Sequence, residues 1–302
     1  MTSDGGDKQW TVLELLNWTA DYFKGKGIEN PRLNAEVLLS KVLGLERIML
    51  YARFEQPVAA AEREAFRQLV RRRAARQPLQ YLVGRCEFHG REFEVTPAVM
   101  VPRQETELVV AKCLEKMPNG RGEPWAADIG TGSGAIAVTL AAERPPLRLV
   151  ATDSSEQALA VAARNAARHG VQDRIRFAKG DLAGPVPGHL PAGREGVDFM
   201  VCNPPYVPTA QIDRLQPEVR DYEPRAALDG GSDGLDVVRR LLPQAAHLLM
   251  PEAWLVLELG EGQAEVVRQM LGQDAAFATE SVETAKDASG CERVLCVRKS
   301  GR

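Results

Sequence analysis

Hydrophobic residues recur at helical spacing in the first quarter of the chain. The residues that follow this spacing in the first predicted helix are Val12, Leu13, Leu15, Leu16, Tyr22 and Phe23. A second apolar face runs from Leu33 to Leu43, and the preceding Asn30 and Pro31 are typical of an N-cap and a first helical position. A further helix is predicted from Ala59 to Arg76. Residues 1–84 are therefore predicted to form a small, all-helical domain.

The spacing of apolar residues changes from helical to alternating at residue 86. Phe88 and Phe93 flank a His89-Gly90 dipeptide, and a glycine in a two-residue turn is typical of a tight β-hairpin. Residues 85–100 are therefore predicted to be a β-hairpin linker. The segment that follows is predicted to be a loop leading into a helix from Thr106.

Residues 101–302 alternate short apolar runs with amphipathic stretches. The predicted strands are Trp125–Ile129, Arg148–Thr152, Ile175–Ala178, Val197–Cys202 and Trp254–Leu259, with a last pair within 277–298. The predicted helices are Ala135–Ala142, Glu156–His169 and 234–249. This alternation indicates an α/β domain with a mainly parallel, doubly wound sheet. Two stretches rich in Pro and Gly, 183–196 and 203–232, are predicted to be loops.

The charge of the chain is uneven. Its 302 residues carry a net charge of -3, but residues 1–80 contain 13 Lys and Arg against 10 Asp and Glu, so the remainder carries -6. There is thus no global basic field that would point to nucleic acid. The positive excess lies largely in Arg71, Arg72, Arg73 and Arg76. These are interpreted as the solvated end of a helix, whose dipole favours cations, or alternatively as a docking patch for an anionic partner.

Cysteine and histidine usage indicates neither a disulfide framework nor a metal site. The five cysteines are odd in number and include no CxxC pair, and the four histidines form no ligand-spaced cluster. The first residues, 2–5, are polar, so no signal peptide is expected, and no apolar run reaches membrane-spanning length. These features predict a cytoplasmic protein that binds neither a metal nor a membrane.

A glycine-rich segment, Asp128–Gly134, lies between a predicted strand and a predicted helix. Glycines allow a sharp turn and let backbone N–H groups approach a ligand, and the helix N-terminus adds a partial positive charge. The residues predicted to bind a cofactor here are Gly130, Thr131, Gly132, Ser133 and Gly134. The spacing to Ala135 also matches a dinucleotide fingerprint, so NAD and S-adenosylmethionine both remain open at this point.

Two acidic residues follow the next two strands. Asp153 lies about twenty residues further on, where a carboxylate can accept both hydroxyls of a ribose. Because both candidate cofactors carry an adenosine ribose, Asp153 does not separate them. Asp181 is predicted to accept the adenine amino group, and Leu182 to pack on the adenine face. For both residues, the alternative is an ordinary loop position.

The segment Asn203–Tyr206 directly follows the fourth strand, at the sheet edge where ligands bind. The lone pair of an amide or aromatic amine nitrogen is delocalised, so a site must hold both N–H groups and direct the lone pair at a methyl carbon. Asn203 Oδ1 and the Pro204 carbonyl are predicted to accept those N–H groups. Pro204 and Pro205 stiffen the loop, and Tyr206 is predicted to stack on the flat substrate group.

These residue types indicate methyl transfer from S-adenosylmethionine to a planar nitrogen. The sulfonium is already an activated leaving group, so no metal and no nucleophilic side chain are required. Asn203, Pro204 and Tyr206 are the predicted catalytic residues, Asn203 also borders the cofactor, and Pro205 completes the predicted substrate site. A dehydrogenase has no evident use for Asn-Pro-Pro-Tyr, which disfavours NAD.

Four segments together resemble the protein-(glutamine-N5) methyltransferases that modify peptide chain release factors, and the resemblance covers nearly the whole chain. They are Val101–Glu107, Asp128–Gly134, Asn203–Tyr206 and Glu223–Gly231. Asn-Pro-Pro-Tyr alone is shared with adenine and guanine N-methyltransferases, whereas the first and last segments are far more specific in combination. The resemblance implies a seven-stranded class I methyltransferase sheet in 101–302 and a substrate-recognition role for residues 1–84. It also implies the acceptor, the glutamine of a Gly-Gly-Gln loop.

The first of these segments departs from the family pattern at Gln104, where the family usually has Pro. This change removes no proposed ligand. Arg103, Glu105 and Glu107 flank the cofactor side and are interpreted as surface charges without an assigned role.

Two other functions are compatible with parts of this pattern. A nucleic-acid N-methyltransferase would share the fold and the Asn203 chemistry, but phosphate binding draws on many Lys and Arg and the catalytic part is acidic. A catalytically silent cofactor-binding scaffold is disfavoured by the intact Asn203 loop. The expected protein is a monomer that binds release factors and no nucleic acid directly.

Overall fold

The computed structural model describes residues 9–117 and 122–301. The polar residues 2–5, on which the expectation about a signal peptide rests, lie outside these ranges. Within them, no helix combines the length and apolarity needed to cross a membrane. The chain divides into two compact units. The first extends to Gly84 and includes Pro217–Tyr222, and the second comprises Arg85–Gln216 and the chain from Glu223 onward.

The described residues form helices and strands close to those that the sequence predicts. The helices are α1 (Val12–Gly25), α2 (Pro31–Leu43), α3 (Arg47–Ala52), α4 (Ala60–Ala74), α5 (Leu79–Val83), α6 (Thr106–Lys116), α7 (Ala135–Glu143), α8 (Glu156–Arg168), α9 (Pro217–Arg220), α10 (Asp236–Leu248) and α11 (Ala264–Gly272). The strands are β1 (Arg85–Phe88), β2 (Arg91–Glu94), β3 (Trp125–Ile129), β4 (Arg148–Asp153), β5 (Ile175–Lys179), β6 (Val197–Cys202), β7 (Leu249–Glu258), β8 (Phe277–Lys286) and β9 (Glu292–Lys299).

The structure differs from the sequence prediction at four places, and three of these differences have simple causes. Strand β7 begins at Leu249 rather than Trp254, because Leu249 already pairs with Val197 ahead of a bulge. The short helices α3, α5 and α9 are too brief to show a hydrophobic period, and α11 was not predicted. Asn30 does precede α2 but makes no side-chain cap bond, since its left-handed conformation (φ 48°) differs from the extended backbone of a capping residue.

The first unit is built around the apolar faces of α1, α2 and α4. Leu16, Phe23, Leu38 and Phe66 are almost fully buried in one cluster. Helix α1 begins with a capping box in which Thr11 and Glu14 satisfy each other's backbone N–H groups, at 3.0 and 3.2 Å.

The four arginines at the C-terminal end of α4 differ in their exposure and contacts. Arg71 and Arg72 are exposed, as expected of a solvated helix end, but Arg73 is buried, so that interpretation is wrong for Arg73. Its guanidinium donates to Asn34 Oδ1 at 2.7 Å and twice to Glu218 Oε1 at 3.0 Å. Arg76 forms a second ion pair with Glu218 at 3.2 Å. The segment 217–222 therefore supplies the counter-charge for this part of the helical unit.

The second unit contains a seven-stranded sheet in the order β5-β4-β3-β6-β7-β9-β8. Strands β3 to β7 pair in parallel, while β9 runs antiparallel to both of its neighbours. Alternate residues of β3 face opposite sides, with Ala127 in one core cluster and Ala126 in the other. This doubly wound, mainly parallel sheet confirms the predicted fold class.

The hairpin β1–β2 lies in the second unit rather than forming a region of its own. His89 and Gly90 both have positive φ (50° and 68°), as a two-residue type I′ turn requires. Asn165 of α8 binds both the backbone N–H and the carbonyl of Glu94, at 2.7 and 3.0 Å, and so holds the hairpin on the sheet domain.

Candidate active site

The glycine loop and the Asn203 loop begin side by side because β3 and β6 are neighbours in the sheet. Ile129 and Cys202, the last residues of the two strands, are paired in register. The next residues along the chain are Gly130 and Asn203. At this point the strand order reverses direction, and open α/β sheets bind their ligands in the crevice at such a switch point.

The glycine loop needs glycine at specific positions. Gly134 has φ +80°, and an added Cβ would come within 3.0 Å of Ala162 Cβ, so glycine permits both the backbone conformation and the close packing of α7 on α8. The loop is held at its start by Thr152, whose carbonyl accepts the N–H groups of Gly130 and Thr131, each at 2.9 Å. The loop is thus fixed before any ligand binds.

A buried carboxylate lies beneath the loop. Asp128 Oδ2 accepts from the Thr131 hydroxyl at 2.7 Å and from the Ala137 N–H at 3.1 Å. Burial raises the pKa of Asp128 to about 6, although both hydrogen bonds lower it. The side chain of Thr131 therefore serves the loop itself, as does the carbonyl of Ser133, which accepts from Asn165 at 2.8 Å. Thr131 and Ser133 could therefore contact a ligand only through their other polar groups.

Asp153 at the end of β4 is oriented by two backbone donors. Its Oδ2 accepts from the Gly132 N–H at 2.9 Å, and its Oδ1 accepts from the Ser155 N–H at 2.8 Å. Each carboxylate oxygen has further lone-pair sites, which can accept one ribose hydroxyl apiece. The structure therefore brings Asp153 against the glycine loop in an orientation suited to its predicted role.

Asp181 and Leu182 also line the cleft, after β5. The Asp181 carboxylate is exposed and ion-paired with Arg240, whose side chain lines the same cleft. Leu182 has a left-handed backbone (φ 48°), and its carbonyl accepts from the Thr152 hydroxyl at 2.8 Å. Their predicted contacts with an adenine stay predictions, and Arg240 is a neighbour that the sequence did not indicate.

Asn203, Pro204 and Pro205 line the same cleft as the glycine loop. Asn203 Nδ2 donates to Thr106 Oγ1 at 3.3 Å. Across residues 9–117 and 122–301, nothing donates a hydrogen bond to Asn203 Oδ1. The amide oxygen is thus available to accept from a bound group, as the predicted role of Asn203 requires.

Tyr206 is placed differently from the other three residues of its segment. It is not among the residues that line the cleft. Its hydroxyl lies near the Glu258 carboxyl, its carbonyl accepts from Gln263 at 3.0 Å, and its ring lies against Gly260, where an added Cβ would come within 3.2 Å of Cδ2. Burial raises the pKa of Tyr206 to about 12. Stacking on a substrate therefore stays a prediction, and the observed contacts indicate a role in holding the loop.

Thr106 and Glu258 are site residues that the sequence analysis missed. Glu258 ends β7 and is 1% exposed, and the hydroxyls of Thr106 and Tyr206 lie near its carboxyl. Burial raises its pKa to about 7, although these neighbouring hydroxyls lower it. An acidic residue that directly follows the apolar run 255–257 was the available signal, because a carboxyl at the end of a buried strand lies at the ligand-binding edge.

The interpretation of Arg103 and Glu107 as simple surface charges is wrong, because both make specific contacts. Arg103 pairs with Glu223 at 2.5 Å, and the side chain of Glu223 is only 1% exposed. This contact joins the two segments that carry the most specific part of the family pattern. Glu107 Oε1 accepts from the His89 N–H at 2.8 Å and so closes the hairpin turn. Glu105 is exposed, as expected.

The cleft between the two loops has a volume of about 510 Å³, within the usual range of small-molecule sites, roughly 300–1,000 Å³. A Cβ added to Gly132 would meet no atom within 4 Å, so the backbone there is open to a ligand. The oriented carboxylate of Asp153, the loop of left-handed glycines and the free amide oxygen of Asn203 fit an adenosine-containing cofactor with an acceptor group beside it. Such a set of hydrogen-bond acceptors can both hold a nucleoside and align a planar nitrogen.

Comparison with known proteins identifies domain families for both units and a solved structure with the same fold. Residues 14–84 match the model of the PrmC N-terminal domain, and residues 106–216 match that of the methyltransferase small domain. Among solved structures, a methyltransferase from Pyrococcus furiosus superposes with a TM-score of 0.50 at 21% identity, covering 71% of this chain and 91% of that one. At that identity the likeness shows the fold alone.

Two curated relatives extend over nearly the whole chain. The release factor glutamine methyltransferase of Geobacter sulfurreducens is 47% identical over 286 residues, covering 95% of this chain and 96% of the relative. That of Moorella thermoacetica is 46% identical, covering 90% and 93%. With these identities over both units, the chain belongs to the release factor glutamine methyltransferase family.

Proposed function

We propose that this protein transfers a methyl group from S-adenosylmethionine to the side-chain amide nitrogen of a glutamine in peptide chain release factors. The acceptor would be the glutamine of their Gly-Gly-Gln motif. Membership of the release factor glutamine methyltransferase family supports both the methyl transfer and the release factor as its substrate. The observation that carries the proposal at the site is that Asn203 and the glycine loop line one cleft, with Asn203 Oδ1 available as an acceptor.

The glycine-loop side would hold the cofactor. When bound, S-adenosylmethionine supplies a methyl group on a positively charged sulfur that leaves as a neutral thioether. The glycine loop, of which residues 130–133 line the cleft, and the carboxylate of Asp153 would bind it, Asp153 through the ribose hydroxyls. Asp181 and Leu182 are proposed to contact the adenine. No metal ion is needed in this scheme.

The Asn203 side would align the glutamine amide. Asn203 Oδ1 and the Pro204 carbonyl accept its two N–H groups and direct the nitrogen lone pair at the methyl carbon. The new N–C bond forms as the C–S bond breaks, the electron pair of that bond stays on sulfur, and the extra proton leaves the nitrogen to water. Alignment of the two reacting atoms can contribute roughly 7–11 kcal/mol toward lowering the barrier.

The alternative function, N-methylation of a nucleic-acid base, is not favoured. Residues 81–302 carry a net charge of -6, whereas phosphate-backbone binding requires clustered Lys and Arg. A silent scaffold has no use for an Asn203 amide oxygen held free of partners in a ligand-sized cleft. We further propose that residues 1–84 contribute to recognition of the release factor, and that the protein acts as a monomer in the cytoplasm.

The test is direct incubation of the protein with methyl-labelled cofactor and purified release factors. We expect label on the release factor and none on a variant whose Gly-Gly-Gln glutamine is replaced by alanine. Total cellular RNA serves as the competing substrate. Transfer to RNA but not to release factor would overturn the proposal, and cofactor binding without transfer to either would support a scaffold.

A further inference from the structure

The helical unit carries a groove between α1 and α4 that neither the proposed chemistry nor the ion pairs of Glu218 involve. Its volume is about 420 Å³. The base of the groove is apolar, and Leu15, Phe66 and Val70, which line it there, are buried. All three belong to the hydrophobic cluster of the helical unit, so the base of the groove is part of a packed core.

The α1 side of this groove is aromatic. Trp18 and Tyr22 are one helical turn apart, and their rings stack with centroids 5.3 Å apart and an interplanar angle of 15°. Trp18 is nevertheless 52% exposed. Lys26 Nζ lies 5.7 Å from the centroid of the Tyr22 ring. An exposed tryptophan beside an apolar groove is typical of a binding surface, where Trp, Tyr and Arg contribute most of the binding energy.

The α4 side of the groove is cationic. Arg63, Arg67 and Arg71 recur at four-residue intervals and therefore lie along one face of the helix. Arg67 pairs with Glu64 at 2.7 Å, but both side chains are at least half exposed, so the pair is solvated and weak. No Asp or Glu is found among the described residues that line the groove. The groove thus combines an apolar base with a positive edge.

The structure also separates the four arginines at the end of α4, for which the sequence left a solvated helix end and a docking patch as alternatives. Arg73 and Arg76 are paired with Glu218. Of the four, only Arg71 lines the groove. The positive surface that faces a partner therefore continues from Arg71 back along α4 rather than forward to residue 76.

We propose that this groove binds an acidic segment of the release factor that carries a bulky apolar side chain. The apolar side chain would lie between the Trp18–Tyr22 stack and the buried base, and flanking Asp or Glu residues would pair with the arginines of α4. An amphipathic helix with apolar and acidic residues one turn apart meets both requirements. The inference rests on the proposed function for the identity of the partner.

Nucleic acid fits the groove less well than an acidic protein segment does. Binding of a phosphate backbone draws on many cations, whereas three arginines line the groove and Arg67 already has a partner carboxylate. Exposed aromatic rings can stack on bases, but the buried apolar base of the groove would gain no partner from a phosphate backbone. RNA is therefore the competing ligand in the tests.

The first test measures KM and kcat for methylation of the full-length release factor. Trp18→Ala and the double variant Arg67→Gln/Arg71→Gln change exposed side chains, so both proteins should fold. We expect KM to rise roughly tenfold or more in each, as for other interface Trp and Arg residues. The kcat at saturation and the dissociation constant of the cofactor should stay unchanged, because the groove takes no part in the chemistry.

Arg72→Gln is the matched control for these variants. Arg72 is exposed on the same helix but does not line the groove, so its loss should leave KM at the wild-type value. An unchanged KM in both groove variants would overturn the inference. An equal rise in Arg72→Gln would also overturn it, because the effect would then come from the general charge of the helical unit.

The charge part of the proposal has its own readout. Raising the ionic strength from about 0.01 to 0.1 M shortens the Debye length from roughly 30 to 10 Å and should raise the wild-type KM. The rise should be smaller in Arg67→Gln/Arg71→Gln and undiminished in Trp18→Ala, since tryptophan carries no charge. Equal salt dependence in the wild type and the double arginine variant would contradict pairing with acidic residues.

A binding measurement keeps this inference distinct from the proposed function. Calorimetric titration of the release factor into the protein requires no methyl transfer, and Trp18→Ala should weaken binding as it raises KM. Binding that is lost in the groove variants, without methyl transfer by the wild type, would count against the proposed function alone. Normal transfer with binding that is insensitive to the groove would count against the inference alone.

The chemistry of the partner segment is tested by crosslinking. A photoreactive benzophenone amino acid in place of Trp18 should crosslink to a release-factor segment rich in Asp and Glu, which mass spectrometry identifies. Crosslinking to a segment without acidic residues would overturn the inference. So would binding of total cellular RNA that the groove variants abolish while they bind the release factor normally.

Discussion

The two sides of the cleft are held in place by different means. On the glycine-loop side, Asp153 is fixed by the N–H groups of Gly132 and Ser155, 21 and 2 residues away in sequence. On the other side, Asn203 is fixed by a side chain 97 residues away. Backbone donors are supplied by any sequence that makes the turn, but side-chain partners must be present at exact positions. The proposed cofactor side is therefore encoded locally, and the proposed acceptor side depends on the assembled domain.

The largest expected effect is a loss of turnover on the acceptor side of the cleft without a loss of cofactor binding on the glycine-loop side. Asn203→Ala removes the proposed amide acceptor, and turnover should fall at least about a hundredfold, as for other preorganised polar groups. The cofactor dissociation constant, measured by calorimetry, should change little because Asp153 and the glycine loop are untouched. Normal turnover in this variant would show that the amide is not aligned by Asn203.

The pH dependence of stability should also differ between the sides. The pKa of Glu258 is raised from 4.5 to about 7. A carboxyl with a raised folded-state pKa contributes stability that is fully present below its unfolded pKa and is lost as pH rises through the folded value. Unfolding free energy should therefore fall between pH 4.5 and 7, by on the order of 3 kcal/mol from this group.

Urea denaturation across that pH range measures this contribution. Glu258→Gln should reduce the fall of the unfolding free energy with rising pH. Asp128→Asn, beneath the glycine loop, should reduce this fall over a lower pH range, since the pKa of Asp128 is about 6. The exposed Glu261→Gln is the matched control and should leave the slope unchanged. A slope that survives both buried substitutions would mean that other groups govern it.

A smaller effect is expected on the glycine-loop side. Asp153→Ala removes a carboxylate proposed to accept the ribose hydroxyls, and hydrogen bonds to charged groups contribute about 1.5–3 kcal/mol. Cofactor affinity should weaken roughly tenfold to a hundredfold, while kcat at saturating cofactor changes less. Unaltered affinity would place the ribose elsewhere.

The smallest effect concerns the ion pair that joins the two most specific segments. Arg103→Met leaves the Glu223 carboxylate buried without its partner, and the protein should lose about 1–3 kcal/mol of stability. Adding Glu223→Gln should restore part of that loss, because the uncompensated charge disappears. Glu105→Gln, at an exposed neighbouring position, should stay within about 0.5 kcal/mol of the wild type. Chemical denaturation of the four proteins is the measurement.

The contrast between the locally encoded cofactor side and the acceptor side that depends on the assembled domain also explains which features the sequence could predict. The strands, the glycine loop and the positions of Asp153 and Asn203 follow from local periodicity and from the rule that ligands bind at the carboxyl edge. The pairing of Arg103 with Glu223, 120 residues apart, required the folded domain. So did the proximity of the Thr106 and Tyr206 hydroxyls to Glu258. A motif residue shows which chemical group is present at a site. Which other side chain positions that group depends on how the strands assemble.

The ion pairs of Glu218 affect the order in which the chain can fold during its synthesis. Because Arg73 and Arg76 find their counter-charge in the 217–222 segment, a fragment ending at Gly84 would contain the five helices α1 to α5 but would lack the carboxylate that pairs with these two guanidinium groups. On the ribosome, the helical unit would emerge early yet gain its last stabilising contacts only after residue 222 has left the exit tunnel. Its completion would thus wait for most of the catalytic unit to be synthesised.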